Sequence, residues 1–312
     1  MTTRLLCQRR FPAEDLGAPY ELAEIDLTVP LDHPDRVRTL RREDGWSLMR
    51  PVELPDGRLA WYRARHDARS PVSTDMHPHL VDLVVDGTVV PRPAARTWRN
   101  WLGTATIHRR HRQGHVEVLD DGRLVHAEQD ETVGTWSLFV RWTTREAGPW
   151  RCATMDPDGT GAVEVTGPGT AEPSWHPTRR LAWAEVDQPV VHVDGRRIQT
   201  PGLQAFDPYV SPNGERLLVL VRCHQPWELI ERWGLWVADI DDGLGDWLVP
   251  PPPDSQGVTS HAGWLDDTSV VCARKTESPL WWEAWQLGLD GRRAQLTDRR
   301  HGSVEQVRAR RR

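Results

Sequence analysis

Short apolar runs separated by tight-turn signals recur along most of the chain. The unit is an apolar strand, a turn, and a second apolar run. It occurs as RPVELPDGRLAW (50–61), HVEVLDDGRLVH (115–126), EPSWHPTRRLAW (172–183), DPYVSPNGERLL (207–218) and HAGWLDDTSVVC (261–272). Asp-Gly and Asn-Gly accept positive φ at little cost, so each copy predicts a hairpin. A third run follows in most units and ends in another turn, as in 80–85 before Asp86-Gly87 and 190–193 before Asp194-Gly195. A fourth run closes the unit, for example 196–200 and 293–297. Four antiparallel strands per repeat is the pattern of a propeller blade.

The chain ends complete the count. Residues 4–10, 21–28 and 36–42 read as second, third and fourth strands without a first, and 303–308 reads as a first strand without followers. Joining the two ends hides both sheet edges. The expected fold is therefore all-β: a six-bladed β-propeller of four-stranded antiparallel blades, with the last blade closed by N- and C-terminal strands. The whole chain, 1–312, forms one domain with blades at 46–95, 107–168, 170–204, 206–252, 259–298, and 303–312 with 4–42. In the second blade both 136–142 and 150–155 are candidates for the third strand.

Composition narrows the class. With 27% charged and 38% hydrophobic residues, the 312-residue chain reads as a folded globular protein. The formal net charge of −6 argues against a nucleic-acid partner, which requires a basic face. Lys275 is the sole lysine, and this arginine bias reads as bacterial genomic composition. The four cysteines are widely spaced, which predicts free thiols in a reducing compartment. The N-terminus carries no signal-peptide pattern and no apolar run long enough for a membrane span, so a cytoplasmic protein without a membrane partner is expected.

PSWHPTRRLAWAE, DPYVSPNGERLLVL and RRAQLTD resemble the TolB-type propeller repeat, shared with the propellers of prolyl oligopeptidases. The resemblance covers most of the chain. It implies the fold and leaves function open, because the family includes scaffolds, peptidase lids and lyases. No GxSxG motif follows, so no peptidase activity is implied.

Aligning the hairpins picks out one position. Five residues before the first turn residue stand Arg50, His115, Glu172, Asp207 and His261. The next position is never charged. First strands line a propeller's central channel, so these side chains, with Glu305 from the sixth blade, are expected to ring one mouth of it. The long connections 65–79, 94–114, 223–233 and 276–282 fall at the same mouth, where long loops commonly carry function. The ring predicts acid–base chemistry on a small molecule, of lyase, hydrolase or cyclase type. Glu172 and Asp207, with His115 and His261, are the candidate catalytic groups, and Arg50 and Glu305 the candidate substrate-binding ones. The alternative is a non-catalytic scaffold that binds a protein or peptide on that face. A metal in the ring is the less favoured arrangement, since it offers two histidines and Arg50 adds repulsion. No cofactor is assigned. The segment HRRHRQGH (108–115) reads as a solvated loop, and Arg308, Arg310 and Arg312 as a strand end with a solvated tail. Trp175, Trp183 and Trp264 are expected to pack between blades.

Overall fold

A computed structural model describes residues 3–11, 18–66, 81–92, 94–99, 105–136, 142–224, 232–252, 259–275 and 281–310. The side chains of 98–99, 105–106, 108–115, 135–136, 142–146 and 259–261 lie outside that description.

The strands in chain order begin with β1 (Arg4–Arg10), β2 (Tyr20–Asp26) and β3 (Val37–Arg41). Blade 1 is β4 (Trp46–Glu53), β5 (Leu59–Arg65), β6 (Val81–Val85) and β7 (Thr88–Val89). Blade 2 is β8 (Arg96–Arg99), β9 (Ala105–Val118), β10 (Leu124–Trp136), β11 (Trp142–Met155) and β12 (Val163–Glu164). Blade 3 is β13 (Thr170–His176), β14 (Arg180–Glu185), β15 (Val190–Val193) and β16 (Arg196–Gln199). Blade 4 is β17 (Gln204–Val210), β18 (Arg216–Arg222), β19 (Trp233–Asp239) and β20 (Gly245–Val249). Blade 5 is β21 (Thr259–Asp266), β22 (Ser269–Lys275), β23 (Trp282–Gly288) and β24 (Arg293–Gln295), and β25 (Ser303–Ala309) ends the chain. Every sheet runs antiparallel in chain order except the last, ordered β25-β1-β2-β3. The structure is thus a six-bladed propeller, with blade 6 built from both ends of the chain.

The turns explain the register. At the β4–β5 and β9–β10 hairpins, Gly57 and Gly122 both sit at φ 84°. Asp56 and Asp121 accept from the backbone N–H two residues on, at 3.1 and 3.0 Å. These turns satisfy their own polar groups and need nothing from the rest of the protein.

Apolar faces meet between neighbouring blades. Val52, Tyr62 and Leu83 of blade 1 pack with Val116, Leu124 and Met155 of blade 2. Leu5 and Ile25 of blade 6 pack with Val271 and Ala284 of blade 5. Each fully buried Leu, Ile or Val contributes roughly 1.5–3 kcal/mol relative to exposure, and these layers hold the ring closed. Trp264 lies in such a layer between blades 4 and 5. Trp183 instead stacks on His192 of its own blade, with ring centroids 5.2 Å apart, and Trp175 lies beside Arg180.

Blade 2 departs from expectation. Residues 94–114, read above as a long connection, contain β8 and most of β9, and the 108–115 segment is strand rather than loop. The two candidate third strands belong to one β10–β11 hairpin paired from Leu124–Met155 out to Trp136–Trp142. The other long connections lie largely outside the described residues. The four cysteines are free thiols.

Candidate functional site at the channel mouth

The five ring positions lie on the innermost strands β4, β9, β13, β17 and β21, and each falls where pairing with the second strand breaks. Met49 pairs with Tyr62 and Val52 with Ala60, so Arg50 and Pro51 together face Trp61. Likewise Glu172 and Pro173 face Trp183, and Asp207 and Pro208 face Val219. His115 and His261 occupy the corresponding breaks in β9 and β21, but their side chains lie outside the described residues. These are β-bulges, which re-aim a side chain away from the ladder. Proline is tolerated as the second bulged residue because a bulged, innermost edge strand needs no ladder N–H there.

The bulge forces left-handed backbone onto residues that resist it. Arg50, Glu172, Asp207 and Gln306 have φ of 53°, 54°, 49° and 53°. Each such non-glycine residue costs on the order of 1–3 kcal/mol, a cost usually found at functional positions. The sixth member of the series is therefore Gln306: Gln306 and Val307 face Cys7, between the Leu6–Arg308 and Gln8–Glu305 pairs. Glu305 is one position away. It accepts from Tyr20 Oη at 2.7 Å and Gln8 Nε2 at 3.3 Å.

Three ring members come together. Arg50 Nη1 lies 3.8 Å from Glu172 Oε2. Asp207 is buried beside Glu172 and shares a hydrogen bond with it. Burial first, then the Asp207 charge, pushes the Glu172 carboxyl up to about 8, against the pull of Arg50. Burial and the neighbouring acid thus favour a proton on Glu172 near neutrality. Arg50 is nearly buried, and its Nε and Nη1 have no hydrogen-bond partner among the described residues.

A second tier lies two residues along the same strands, on the same face. Glu117, Tyr209 and Arg308 follow His115, Asp207 and Gln306 at that spacing. Arg308 Nη1 bonds Glu117 Oε1 at 2.5 Å, and its Nη2 donates to Tyr209 Oη. Burial works against the Arg308 charge, yet Glu117, Tyr209 and Asp207 hold it more firmly protonated than usual. Burial also raises Tyr209 well above an ordinary phenol, keeping it a neutral donor. Arg308 is thus a channel residue rather than the strand end facing solvent expected from the sequence. Arg310 pairs with Glu24 and Glu53, and Arg312 lies outside the described residues. The signal for the second tier was available: alternation in a strand returns the same face every two residues.

Next to the ring is a cleft of about 200 Å³ lined by Arg50, Glu172, Gln204, Phe206, Trp150 and several alanines. It opens where the innermost strands begin, the side at which the long connections were expected. Among the described residues no three His, Cys, Asp or Glu side chains are grouped to hold one metal ion.

Comparison with known proteins agrees on architecture. No family model and no curated protein matches the chain. A protein of unknown function from Bacteroides caccae superposes over 99% of this chain and 98% of its own, with 11% identity and a TM-score of 0.51. A TolB-like protein from Agrobacterium tumefaciens matches 79% of this chain and 82% of its own, with 12% identity and a TM-score of 0.45. The β-propeller domain of the trilobed protease from Pyrococcus furiosus matches 96% and 94%, with 11% identity and a TM-score of 0.45. At these identities the likeness is one of fold alone: the chain is a β-propeller whose structural neighbours include TolB-like and prolyl-oligopeptidase-related propellers.

Proposed function

We propose that this propeller is an enzyme that transforms a small molecule by acid–base chemistry at the channel mouth. The reaction belongs to the lyase, hydrolase or cyclase type. Glu172 is the general acid, Asp207 the base, and Arg50 the group that holds substrate negative charge. One observation carries the reading: two adjacent buried carboxyl groups whose surroundings keep Glu172 protonated near pH 7. A group poised near the working pH both gives and takes a proton efficiently. Tyr209, held neutral, is a further donor within the channel. His115 and His261 remain candidate partners on neighbouring strands. The net charge of −6 speaks against a nucleic-acid partner.

The test is a metabolite screen. Wild-type protein is incubated with small-molecule extracts, and depletion is followed by mass spectrometry beside Glu172→Gln and Asp207→Asn. A compound consumed by wild type and slowed roughly 100-fold or more by either variant is the expected result. Consumption that both variants sustain equally, or a protein partner captured by all three with no compound consumed, would overturn the proposal.

A further inference from the structure

The cleft carries information about what it binds. Among the described residues one arginine lines it, Arg50, which is nearly buried, yet its carboxyl neighbour lies at 3.8 Å and two of its nitrogens have no hydrogen-bond partner among those residues. A buried guanidinium left in this state is costly, and native proteins leave few such groups without a ligand, ion or water to meet them. The other channel arginine is occupied: Arg308 is taken by Glu117 and Tyr209. Glu172 does not neutralise Arg50 while it holds a proton, and the other carboxylate of the lining, Glu185, is taken by His192 at 2.7 Å and Arg197 at 3.4 Å.

The remaining walls set the rest of the ligand. Phe206 and Trp150 line the same cleft, and Phe206 is braced edge-on by Trp233 at 5.2 Å. Ala171, Ala184 and Ala205 keep the cleft open by their small size. Gln204 Oε1 is buried without a hydrogen-bond partner among the described residues, so its amide offers polar contact at the same wall. The cleft, of about 200 Å³, is of a size that suits a small molecule.

We propose that the cleft takes a small monoanionic carboxylate joined to a flat aromatic or conjugated group, with the carboxylate on Arg50 and the ring against Phe206 and Trp150. A guanidinium fork matches a carboxylate with two parallel hydrogen bonds. A phosphate dianion fits worse, because one arginine serves the cleft and Asp207 stands close behind it. The inference rests on the channel mouth being the substrate site, but not on the acid–base roles of Glu172 and Asp207.

Calorimetric titration of the full chain at pH 7 with benzoate, benzamide and inorganic phosphate tests it. Benzoate is expected to bind. Its uncharged isostere benzamide and phosphate are each expected to bind at least about tenfold more weakly. Arg50→Met should weaken benzoate by tenfold or more, whereas Arg292→Met, on an exposed turn of blade 5, should leave it unchanged. Phe206→Ala supplies an independent variant: it should weaken benzoate while leaving the smaller acetate unchanged. Equal binding of benzoate and benzamide, undiminished binding by Arg50→Met, preference for phosphate, or no benzoate binding at all overturns the ligand class. Turnover that depends on Glu172 in a protein that ignores benzoate defeats this inference alone. Benzoate binding at Arg50 without turnover of any compound defeats the acid–base reading alone.

Discussion

Two clusters of buried charge lie at different places in the ring and are built on opposite principles. In blade 6, Glu21 accepts from Arg9 Nε at 2.7 Å, Thr39 at 2.9 Å and Arg42 Nε at 2.9 Å. Glu24 accepts from Arg38 Nε at 2.9 Å and also from Arg310, which donates to Glu53 at 2.7 Å. Here each carboxylate is met by several donors, and the contacts tie the first and last strands to each other and to blade 1. At the channel mouth Arg50 reaches its carboxyl neighbour only at 3.8 Å, and Glu172 faces another acid. The backbone beneath the mouth is strained at four corresponding positions, while β1, β2 and β3 hold no positive-φ residue among those described. The contrast separates charge that closes a fold from charge kept available for a ligand.

The largest effect that would break the comparison is in the clasp. Glu21→Ala leaves the buried Arg9 without its counter-charge, and loss of about 3–5 kcal/mol is expected. Urea unfolding with an unchanged m-value measures it; a loss below about 1 kcal/mol would show that the clasp is not structural.

The next effect is a pH dependence confined to the mouth. Glu172 is raised above its unfolded value, so between about pH 4.5 and 8 the folded state holds a proton the unfolded chain has released. Its full contribution is present below the unfolded pKa and is lost as pH rises through the folded one. Stability should therefore fall by up to about 1.4 kcal/mol per pH unit across that window. Glu172→Gln should flatten this slope by comparison with wild type, and an unaltered slope would place the proton elsewhere.

The smallest effect is at Arg50. Arg50→Met removes a nearly buried cation two of whose nitrogens have no hydrogen-bond partner among the described residues, so stability should change by no more than about 1 kcal/mol, in either direction. Thermal melting beside Glu21→Ala sharpens the contrast: a cost comparable to that of the clasp variant would make Arg50 a structural residue.

Much of this was legible in the sequence, for physical reasons that also mark where legibility stopped. Asp56-Gly57, Asn213-Gly214 and the Pro177-Thr178 turn punctuate the hairpins, so counting back from them reached Arg50, Asp207 and Glu172, which prove to be strained bulge residues. In the closing blade the same count has no anchor, because β25 and β1 lie at opposite ends of the chain and share no turn. The sequence therefore points to Glu305, where Gln306 holds the corresponding place. Arg308 looked like part of a charged tail, and only the closure of blade 6 carries it to Glu117 and Tyr209. The β8–β9 region lacks apolar alternation, since RRHRQGH carries little that a core would bury, so its strand character left no periodic trace. The cleft was invisible because Trp150 of blade 2 and Arg50 of blade 1 meet Gln204 and Phe206 of blade 4 only in the folded ring.

The central claim is that the channel mouth stores a proton on Glu172 at neutral pH. Carboxyl-carbon NMR of protein labelled at glutamate side chains, titrated from pH 4 to 10 beside Glu172→Gln, tests it most directly. The account predicts one glutamate resonance, missing from the variant, that still reports a protonated carboxyl at pH 7 and titrates near 8. A Glu172 resonance fully ionised by pH 6 would contradict it.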